Sequence, residues 1–284
     1  MNILYCGDEK MDKGLLISIL SLLKHTDQPL HIFILTADIQ IPHGKIYTAL
    51  RPAEVNFLDN LVKQQNTNNF VKLFNITPLF NQETPTANLR TYFTPLSMLR
   101  LYADEIPGLP DRLLYLDTDV VCRRNFDAFY NQDISNYEVV GCLDYYGRFF
   151  FHKRLLKMNY MNSGVLLLNF KKIKQTGLFA ECRALCQTKK MFMPDQSALN
   201  KLVHSYKIVP RRFNEQRKLH SDTVLQHFTT SFRFFPWLRM ITVKPWNVKA
   251  VHKKLKIHDY DDILNQYQHL IGKMQHEGGV ASNK

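Results

Sequence analysis

An apolar run that ends on two aspartates constrains the fold of this chain more than any other stretch. Residues 113–116 read Leu-Leu-Tyr-Leu and are followed by Asp117 and Asp119. Such a run predicts a buried strand of an α/β sheet, and an unpaired carboxylate beside it would be costly. A divalent cation would compensate both charges, because carboxylate oxygens are the ligands that Mg²⁺ and Mn²⁺ prefer. The alternative is a strand followed by an ordinary acidic turn, since Asp is common in turns.

Short apolar runs alternate with helical patterns through the first part of the chain. We expect strands at residues 2–6, 31–35 and 55–58, with helices across 15–23 and 45–50. This β-α-β-α-β order predicts an α/β fold with a parallel sheet, helices on its faces and a ligand site beyond the strand ends. No Gly-x-Gly-x-x-Gly run follows the first strand, so the glycine loop of dinucleotide-binding proteins is absent from that turn.

The later segments are interpreted in the same way. Residues 63–83 are polar and are predicted to form a loop, and the aromatic, basic residues 148–157 are predicted to form a surface element or lid. The remaining elements expected from periodicity and from helix-start residues are helices across 95–104, 178–188 and 197–203 and strands across 137–143 and 165–169.

The last third of the chain is strongly basic and rich in aromatic residues. Residues 201–256 contain thirteen Lys and Arg against two acidic residues, in a chain whose net charge is +12. Such an excess favours anionic partners, which include phosphorylated ligands, nucleic acid and anionic membranes. We divide the chain into a main domain, residues 1–246, and a basic C-terminal extension, residues 247–284, with a disordered tail after Gly272.

Cysteine usage and hydropathy bear on the compartment. The five cysteines show no Cys-x-x-Cys spacing and are odd in number, which favours free thiols in a reducing cytosol. The chain opens with no basic, apolar leader, and no apolar run reaches about 18 residues. We therefore expect a cytoplasmic protein, with at most peripheral contact to the inner face of the plasma membrane.

Several short motifs, in this order along residues 1–246, together resemble glycosyltransferase family 8, the retaining nucleotide-sugar transferases. The motifs are Tyr5-Cys6-Gly7-Asp8, Leu99-Arg100-Leu101, Leu114-Tyr115-Leu116-Asp117-Thr118-Asp119, Asn162-Ser163-Gly164-Val165-Leu166-Leu167-Leu168-Asn169, Asp195-Gln196-Ser197-Ala198-Leu199-Asn200 and Lys244-Pro245-Trp246. The resemblance implies a GT-A fold, with a Rossmann-like mixed central sheet flanked by helices and a basic helical or irregular C-terminal segment.

The resemblance also implies a role for individual residues. Asp117, Asp119 and His227 match the metal ligands, and the cation implied is Mn²⁺ or Mg²⁺. The residues that match nucleotide-sugar contacts are Cys6, Asp8, Arg100, Asp117, Thr118, Asp119 and Lys244. The residues that match the catalytic centre around the donor sugar are Asp144, Asn162, Asp195 and Gln196. Turn or capping chemistry is the alternative for Asp144, Asn162 and Asp195, and a purely structural histidine is the alternative for His227.

Two features depart from the family pattern. Lys10 and Met11 stand where many members have Asn and Tyr, and residues 229–243 form an insertion between His227 and Lys244. That insertion weakens the assignment of Lys244 and could instead supply an aromatic platform for an acceptor.

The function implied is transfer of galactose or glucose from a UDP-sugar donor to a glycan, lipid-linked or glycoprotein acceptor. The alternative is a basic protein that binds nucleic acid or a membrane without transferase activity. No helix-turn-helix, RRM or zinc-finger pattern supports nucleic acid as a partner. Anionic membrane remains a possible peripheral contact.

Overall fold

A seven-stranded mixed sheet lies between two layers of helices in the computed structural model. The structure describes residues 1–91, 94–145, 159–233 and 239–280, with backbone alone at residues 231–233, 239–241 and 277–280. The strands, in chain order, are β1 (Asn2–Gly7), β2 (His31–Thr36), β3 (Ile39–Gln40), β4 (Ile46–Tyr47), β5 (Phe70–Asn75), β6 (Arg112–Leu116), β7 (Val120–Cys122), β8 (Val139–Leu143), β9 (Met161–Asn169), β10 (Tyr206–Ile208), β11 (Leu225–His227), β12 (Ser231–Arg233) and β13 (Arg239–Ile241).

The helices cover both faces of this sheet. They are α1 (Asp12–His25), α2 (Pro52–Gln65), α3 (Thr77–Gln82), α4 (Asp127–Tyr130), α5 (Phe170–Thr176), α6 (Leu178–Thr188), α7 (Pro194–Leu202), α8 (Val248–Ala250) and α9 (Asp261–Val280). The chain also forms 3₁₀ helices at Glu9–Met11, Thr86–Asn88, Pro95–Glu105 and Arg211–Phe213 and a π-helical turn at Val251–Leu255. Among the described helices, none is both long enough and apolar enough to cross a bilayer.

The strand order is β10-β8-β9-β6-β1-β2-β5. β9 runs antiparallel to both β6 and β8, whereas the other neighbours in the sheet are parallel. The predicted α/β class and the mixed central sheet are therefore confirmed. β7 follows β6 directly in the chain but lies outside the main sheet, where it forms a separate antiparallel pair with β11.

Alternate residues of the central strands supply two hydrophobic cores, because successive side chains of a strand point to opposite faces. In β6, Leu114 and Leu116 pack with α1, α2 and α9, whereas Leu113 and Tyr115 pack with the 3₁₀ helix Pro95–Glu105 and with α5 to α7. Both faces of β6 are buried, which explains its uninterrupted apolar sequence.

Three early predictions are wrong. The strand expected at 55–58 lies inside α2, where Val55, Leu58 and Val62 form a single buried stripe and Glu54 accepts a hydrogen bond from the Arg51 amide at the helix start. A short β3–β4 ribbon replaces the helix expected at 45–50. Residues 63–83, expected as a loop, contain β5 and α3. β5 reads Phe-Val-Lys-Leu-Phe-Asn, with four apolar residues of six, and it is an edge strand whose only buried residue is Val71.

The segments nearest the motifs also differ in their limits. β9 begins at Met161, so Asn162, Ser163 and Gly164 lie within the strand and not in a turn before it. The expected helix at 95–104 is present as a 3₁₀ helix, and α7 begins at Pro194. The predicted lid at 148–157 lies outside the described residues.

The C-terminal helix α9 packs against α1 and α2, on one face of the central sheet. Ile263, Leu264 and Met274 of α9 are buried in the core formed with α1 and α2, and Gln275 donates a 2.7 Å hydrogen bond to Asp12 of α1. The residues after Gly272, expected to be disordered, continue this helix as far as Val280. The domain boundary at residue 246 stays a prediction.

Candidate functional site

The predicted site residues meet at one edge of the central sheet. Asp8 follows β1 and Asp117 follows β6, and these parallel strands end at the same edge. β9 starts there, because it runs the opposite way, and it brings Asn162 and Ser163 to the same place. A cavity of about 890 Å³ opens at this edge. All twelve residues singled out from the sequence line it, namely Cys6, Asp8, Arg100, Asp117, Thr118, Asp119, Asp144, Asn162, Asp195, Gln196, His227 and Lys244.

Asp117, Asp119 and His227 form a compact group of possible metal ligands. His227 Nε2 lies 3.3 Å from Asp119 Oδ1 and 3.5 Å from Asp117 Oδ2. Pairing of β7 with β11 sets this geometry, because it places His227 opposite Val120, the residue after Asp119. Two carboxylates and one imidazole, all within 4.8 Å of one another, fit a divalent cation such as Mn²⁺.

The second nitrogen of His227 is held by Asn214. Asn214 Nδ2 donates a 2.9 Å hydrogen bond to Asn162, which leaves Asn214 Oδ1 facing His227 Nδ1 at 3.2 Å. His227 Nδ1 therefore carries the proton in the neutral ring, and the lone pair of Nε2 points toward the two aspartates. Nothing in the sequence pattern singles out Asn214, which lies 13 residues before its partner.

Gly164 allows these groups to approach one another. A Cβ atom at this position would lie 2.7 Å from Asp117 Oδ2 and still closer to His227 Cε1. Any side chain here would therefore displace the candidate metal ligands.

The charges around the candidate metal cluster favour the charged forms of Asp119, His227 and Lys244. Burial alone would raise the pKa of Asp119, but Lys244 and His227 outweigh it and hold that pKa well below its usual range. Burial lowers and the carboxylates of Asp119 and Asp117 raise the pKa of His227, and the net shift is upward from 6.5. Lys244 Nζ contacts Asp119 Oδ2 and donates a 3.2 Å hydrogen bond to the Phe228 carbonyl.

The charge balance of the cavity is negative among the residues that the structure describes. Five carboxylates line it, against three Lys or Arg side chains, so two negative charges are in excess before His227 is counted. A divalent cation would neutralise that excess.

Arg100 connects the candidate metal cluster to the rest of the site. Its guanidinium lies 3.9 Å from the ring centre of Tyr115, donates to Asp117 Oδ1 at 3.0 Å, and is 3.5 Å from Asp195 Oδ2. It also donates to the Ser163 carbonyl. One buried cation thus faces both carboxylates.

Asp195 is held by two hydroxyls to which the resemblance assigns no role. Ser97 Oγ donates to Asp195 Oδ1 at 2.9 Å, and Ser163 Oγ donates to Asp195 Oδ2 at 3.1 Å. Together with Arg100, these donors orient the carboxylate in a nearly closed environment.

Gln196 and Asp144 form the other side of this network. Gln196 Oε1 accepts a 3.0 Å hydrogen bond from the Ser163 amide, and Gln196 Nε2 donates to Asp144 Oδ2 at 2.8 Å. Asn162 Nδ2 donates to the same oxygen at 3.2 Å. Asn162 Oδ1 also accepts hydrogen bonds from the Gly164 amide at 3.0 Å and from Asn214 Nδ2 at 2.9 Å, so its side chain combines a local contact, of the kind that the turn-and-cap alternative expects, with contacts across the cavity.

Another part of the cavity wall contains Cys6, Asp8, Lys10 and Thr118. Asp8 caps the 3₁₀ helix Glu9–Met11 by accepting a hydrogen bond from the Lys10 amide at 3.1 Å, and burial raises its pKa. Burial also raises the pKa of the Cys6 thiol. A capping role therefore occupies one oxygen of Asp8.

The sequence is similar to those of known glycosyltransferases. Residues 2–250 match the family model described as glycosyl transferase family 8. The chain belongs to glycosyltransferase family 8. A curated relative from Escherichia coli, lipopolysaccharide 1,2-glucosyltransferase, is 24% identical over 98% of this chain and 88% of its own length. A putative glycosyltransferase from Haemophilus influenzae is 25% identical over 63% of this chain and 51% of its own length.

Solved structures of glycosyltransferases share the fold of this family 8 member. An active-site mutant of LgtC matches with a TM-score of 0.65 and 17% identity, covering 96% of both chains. The bifunctional glycosyltransferase WbbM in its apo form matches with a TM-score of 0.67 and 14% identity, covering 97% of this chain and 51% of its own. Membership of the family makes this chain a glycosyltransferase, and the alternative of a non-catalytic basic binding protein is not favoured.

Proposed function

We propose that this family 8 glycosyltransferase transfers a hexose from a UDP-sugar to a glycan acceptor, with retention of anomeric configuration and with Mn²⁺ as cofactor. The observation that carries the proposal is the convergence of Asp117, Asp119 and His227 beside Lys244 in a cavity with excess negative charge. A nucleotide diphosphate is an anion, so it would bind there only together with a cation.

The relatives support particular sugars and acceptors. The Escherichia coli relative is named as a lipopolysaccharide glucosyltransferase, and a structure of the galactosyltransferase LgtC, similar in fold, was determined with donor and acceptor sugar analogues. UDP-glucose and UDP-galactose are therefore the first donors to test. A lipid-linked glycan is the first acceptor, ahead of a glycoprotein.

The chain's own residues would divide the work on the donor. Asp117, Asp119 and His227 Nε2 would hold the cation, and Lys244 would contribute positive charge to the leaving diphosphate. A bound divalent ion would supply Lewis-acid stabilisation of the negative charge that develops on UDP. Arg100 would orient Asp117 and Asp195, and Cys6, Asp8 and Thr118 would contact the nucleotide.

The arrangement at the sugar end favours attack by the acceptor from the face that the diphosphate leaves. Gln196 is a carboxamide and a poor nucleophile. Its Oε1 atom accepts a hydrogen bond from the Ser163 amide, and its Nε2 atom donates one to Asp144. In this step the bond from the anomeric carbon to the phosphate oxygen breaks and the bond to the acceptor oxygen forms. The acceptor's proton passes to the departing diphosphate. Asp144, Asn162 and Asp195 would orient the sugar hydroxyls.

The decisive experiment measures release of UDP from a panel of UDP-sugars, with Mn²⁺ and with a chelator. We expect hydrolysis that requires the metal and that falls about 10³-fold in Asp119→Asn, a loss of about 4 kcal/mol of transition-state stabilisation. Asp111→Asn, at the other end of the same strand, serves as the matched control and should retain activity. Mn²⁺-independent turnover, or equal loss in both variants, would contradict the proposal, and a glycosyl adduct trapped on Asp195 or Asp144 would replace same-face attack.

The basic surface and the compartment need a separate test. We propose a cytoplasmic enzyme whose basic residues after Lys201 contact the anionic inner face of the membrane that carries its acceptor. Co-sedimentation with liposomes should rise with anionic lipid content and fall with salt. Co-sedimentation that does not depend on anionic lipid, or tighter and steeply salt-dependent binding to nucleic acid, would argue for another partner.

A further inference from the structure

A second group of possible metal ligands lies in the C-terminal segment, outside the cavity. His252 is in the π-helical turn Val251–Leu255, His258 follows in the next loop, and Asp261 begins α9. Each offers one ligand atom, and these atoms lie within 4.8 Å of one another. None of the three lines the cavity, and the proposed glycosyl transfer uses none of them.

The two imidazoles converge on a single carboxylate. His252 Nε2 is 2.6 Å from Asp261 Oδ1, and His258 Nδ1 is 3.0 Å from Asp261 Oδ2. The two rings stack with their centres 4.5 Å apart and their planes inclined by 20°. The backbone reverses between them at Lys256, which adopts a left-handed conformation with φ of 57°. The chain therefore brings side chains six residues apart onto the same point.

We propose that His252, His258 and Asp261 form a second metal site, which takes Zn²⁺ or a similar borderline transition-metal ion. Two imidazole nitrogens and one carboxylate are a common partial ligand set for Zn²⁺, with water completing the shell. Ligation requires each ring to carry its proton on the nitrogen that faces away from Asp261. The ligand set differs from the cavity's two carboxylates and one imidazole, which suit the harder Mn²⁺.

Neighbouring charges make this site selective. Lys253, Lys254 and Lys256 are exposed close by and repel cations. A hard ion held through its water shell would therefore gain little, whereas an ion bonded directly to imidazole nitrogen would be retained. Asp259 and Asp262 are paired with basic side chains of the main domain, so they do not add to the ligand set.

The position of the site gives it a structural role. Tyr260, between two of the ligands, is buried and donates a 2.8 Å hydrogen bond to Gln226. Gln226 precedes His227 on β11. An ion bound by His252, His258 and Asp261 would close the loop around Tyr260, which itself contacts the strand that carries His227.

The test uses Zn²⁺ alone and a protein whose cavity ligands are disabled. In the double variant Asp117→Asn and Asp119→Asn, titration calorimetry should find one Zn²⁺ per chain with a Kd below about 100 µM. Adding His258→Ala should weaken binding by about tenfold or more, and adding His269→Ala, an exposed histidine on α9, should not. Co²⁺ should give visible absorption that follows the same pattern.

Several results would overturn the second site. They are no Zn²⁺ bound by the double variant, a Kd weaker than about 100 µM, or equal binding with and without His258. Asp261→Asn, which keeps the size of the side chain, guards against misfolding of the alanine variant and should also weaken binding. Far-UV circular dichroism must match in all variants. Mn²⁺ at millimolar concentration should not displace the Zn²⁺, and displacement would also overturn the assignment.

Discussion

The phenol of Tyr115 donates a 2.7 Å hydrogen bond to Asp117 Oδ1. The other oxygen of that carboxylate, Oδ2, is the one that faces His227. Tyr115 therefore fixes the rotation of the Asp117 carboxylate, a candidate metal ligand. Its ring belongs to the hydrophobic core beside the 3₁₀ helix Pro95–Glu105 and also lies under the Arg100 guanidinium.

Tyr115→Phe should weaken Mn²⁺ binding by about tenfold, because an orienting hydrogen bond to a ligand is lost while the ring and its contact with Arg100 remain. Calorimetric titration with Mn²⁺ measures the change. Tyr130→Phe is the matched control, since the Tyr130 hydroxyl also has a partner, the Asn2 amide, but lies outside the cavity. Equal Mn²⁺ affinity in Tyr115→Phe and the parent would show that Arg100 alone orients Asp117.

Gly164→Ala should abolish measurable Mn²⁺ binding while the chain still folds. The added methyl group would overlap Asp117 Oδ2 and His227 Cε1, and both ligands would have to move. We expect a destabilisation of about 1–3 kcal/mol from overpacking, measured by urea unfolding. Gly272→Ala, in α9 with open space around its Cα, should instead stabilise by up to about 1 kcal/mol. Retained Mn²⁺ affinity in Gly164→Ala would mean that Asp117 and His227 are not ligands together.

Mn²⁺ affinity should rise with pH through neutrality. Burial lowers the pKa of His227, but Asp119 and Asp117 raise it more, so the net pKa lies above 6.5. A protonated imidazole cannot bind metal, and below that pKa the affinity should fall about tenfold per pH unit. Titrations between pH 6 and pH 8 test this. In His227→Gln the affinity should be lower and nearly independent of pH over this range, and a flat profile in the parent would exclude His227 as a ligand.

Glu138→Gln should destabilise the fold at neutral pH and much less in acid. Burial raises the pKa of Glu138, but hydrogen bonds from Thr176, Ser205 and His204 outweigh it, and the pKa lies below 4.5. The stabilisation is therefore complete above pH 4.5 and is lost as the pH falls through the folded-state value. We expect a loss of about 1–3 kcal/mol at pH 7, measured by urea unfolding at several pH values. Glu181→Gln, at an exposed position of α6, should leave stability nearly unchanged. A difference that persists undiminished in acid would exclude the carboxylate charge as its cause.

The sequence predicts the longer central strands β1, β2, β6, β8 and β9 and misses the three-residue strands β7, β10 and β11. Residues 113–116 have no polar interruption because both cores contact β6, so their pattern leaves one interpretation. Val55 and Leu58 are close enough together to resemble a short strand, and only the more distant Val62 reveals the helical stripe of α2. β5 was missed although four of its six residues are apolar, because the Asn- and Gln-rich residues 63–69 before it make the segment 63–83 as a whole look polar.

Some residues of the candidate site could be predicted from the sequence, and others could not. Asp117, Asp119 and Gln196 stand in short recognisable motifs, and the structure brings them into one cavity. Ser97 and Asn214 could not be found in this way, because their importance depends on partners that only the fold brings near. Ser97 and Asp195 are 98 residues apart in the chain.

Asn162, Ser163 and Gly164 belong to β9, a strand paired on both sides within the central sheet. The part of the cavity lined by these residues is therefore built from the central sheet itself, at the point where β9 shifts its register against β8. If the proposed function is right, a change of sugar or acceptor preference would have to come from cavity residues that lie outside the central sheet. Phe192, Thr229 and Thr230 line the cavity from outside the central sheet, and they are the positions to randomise first.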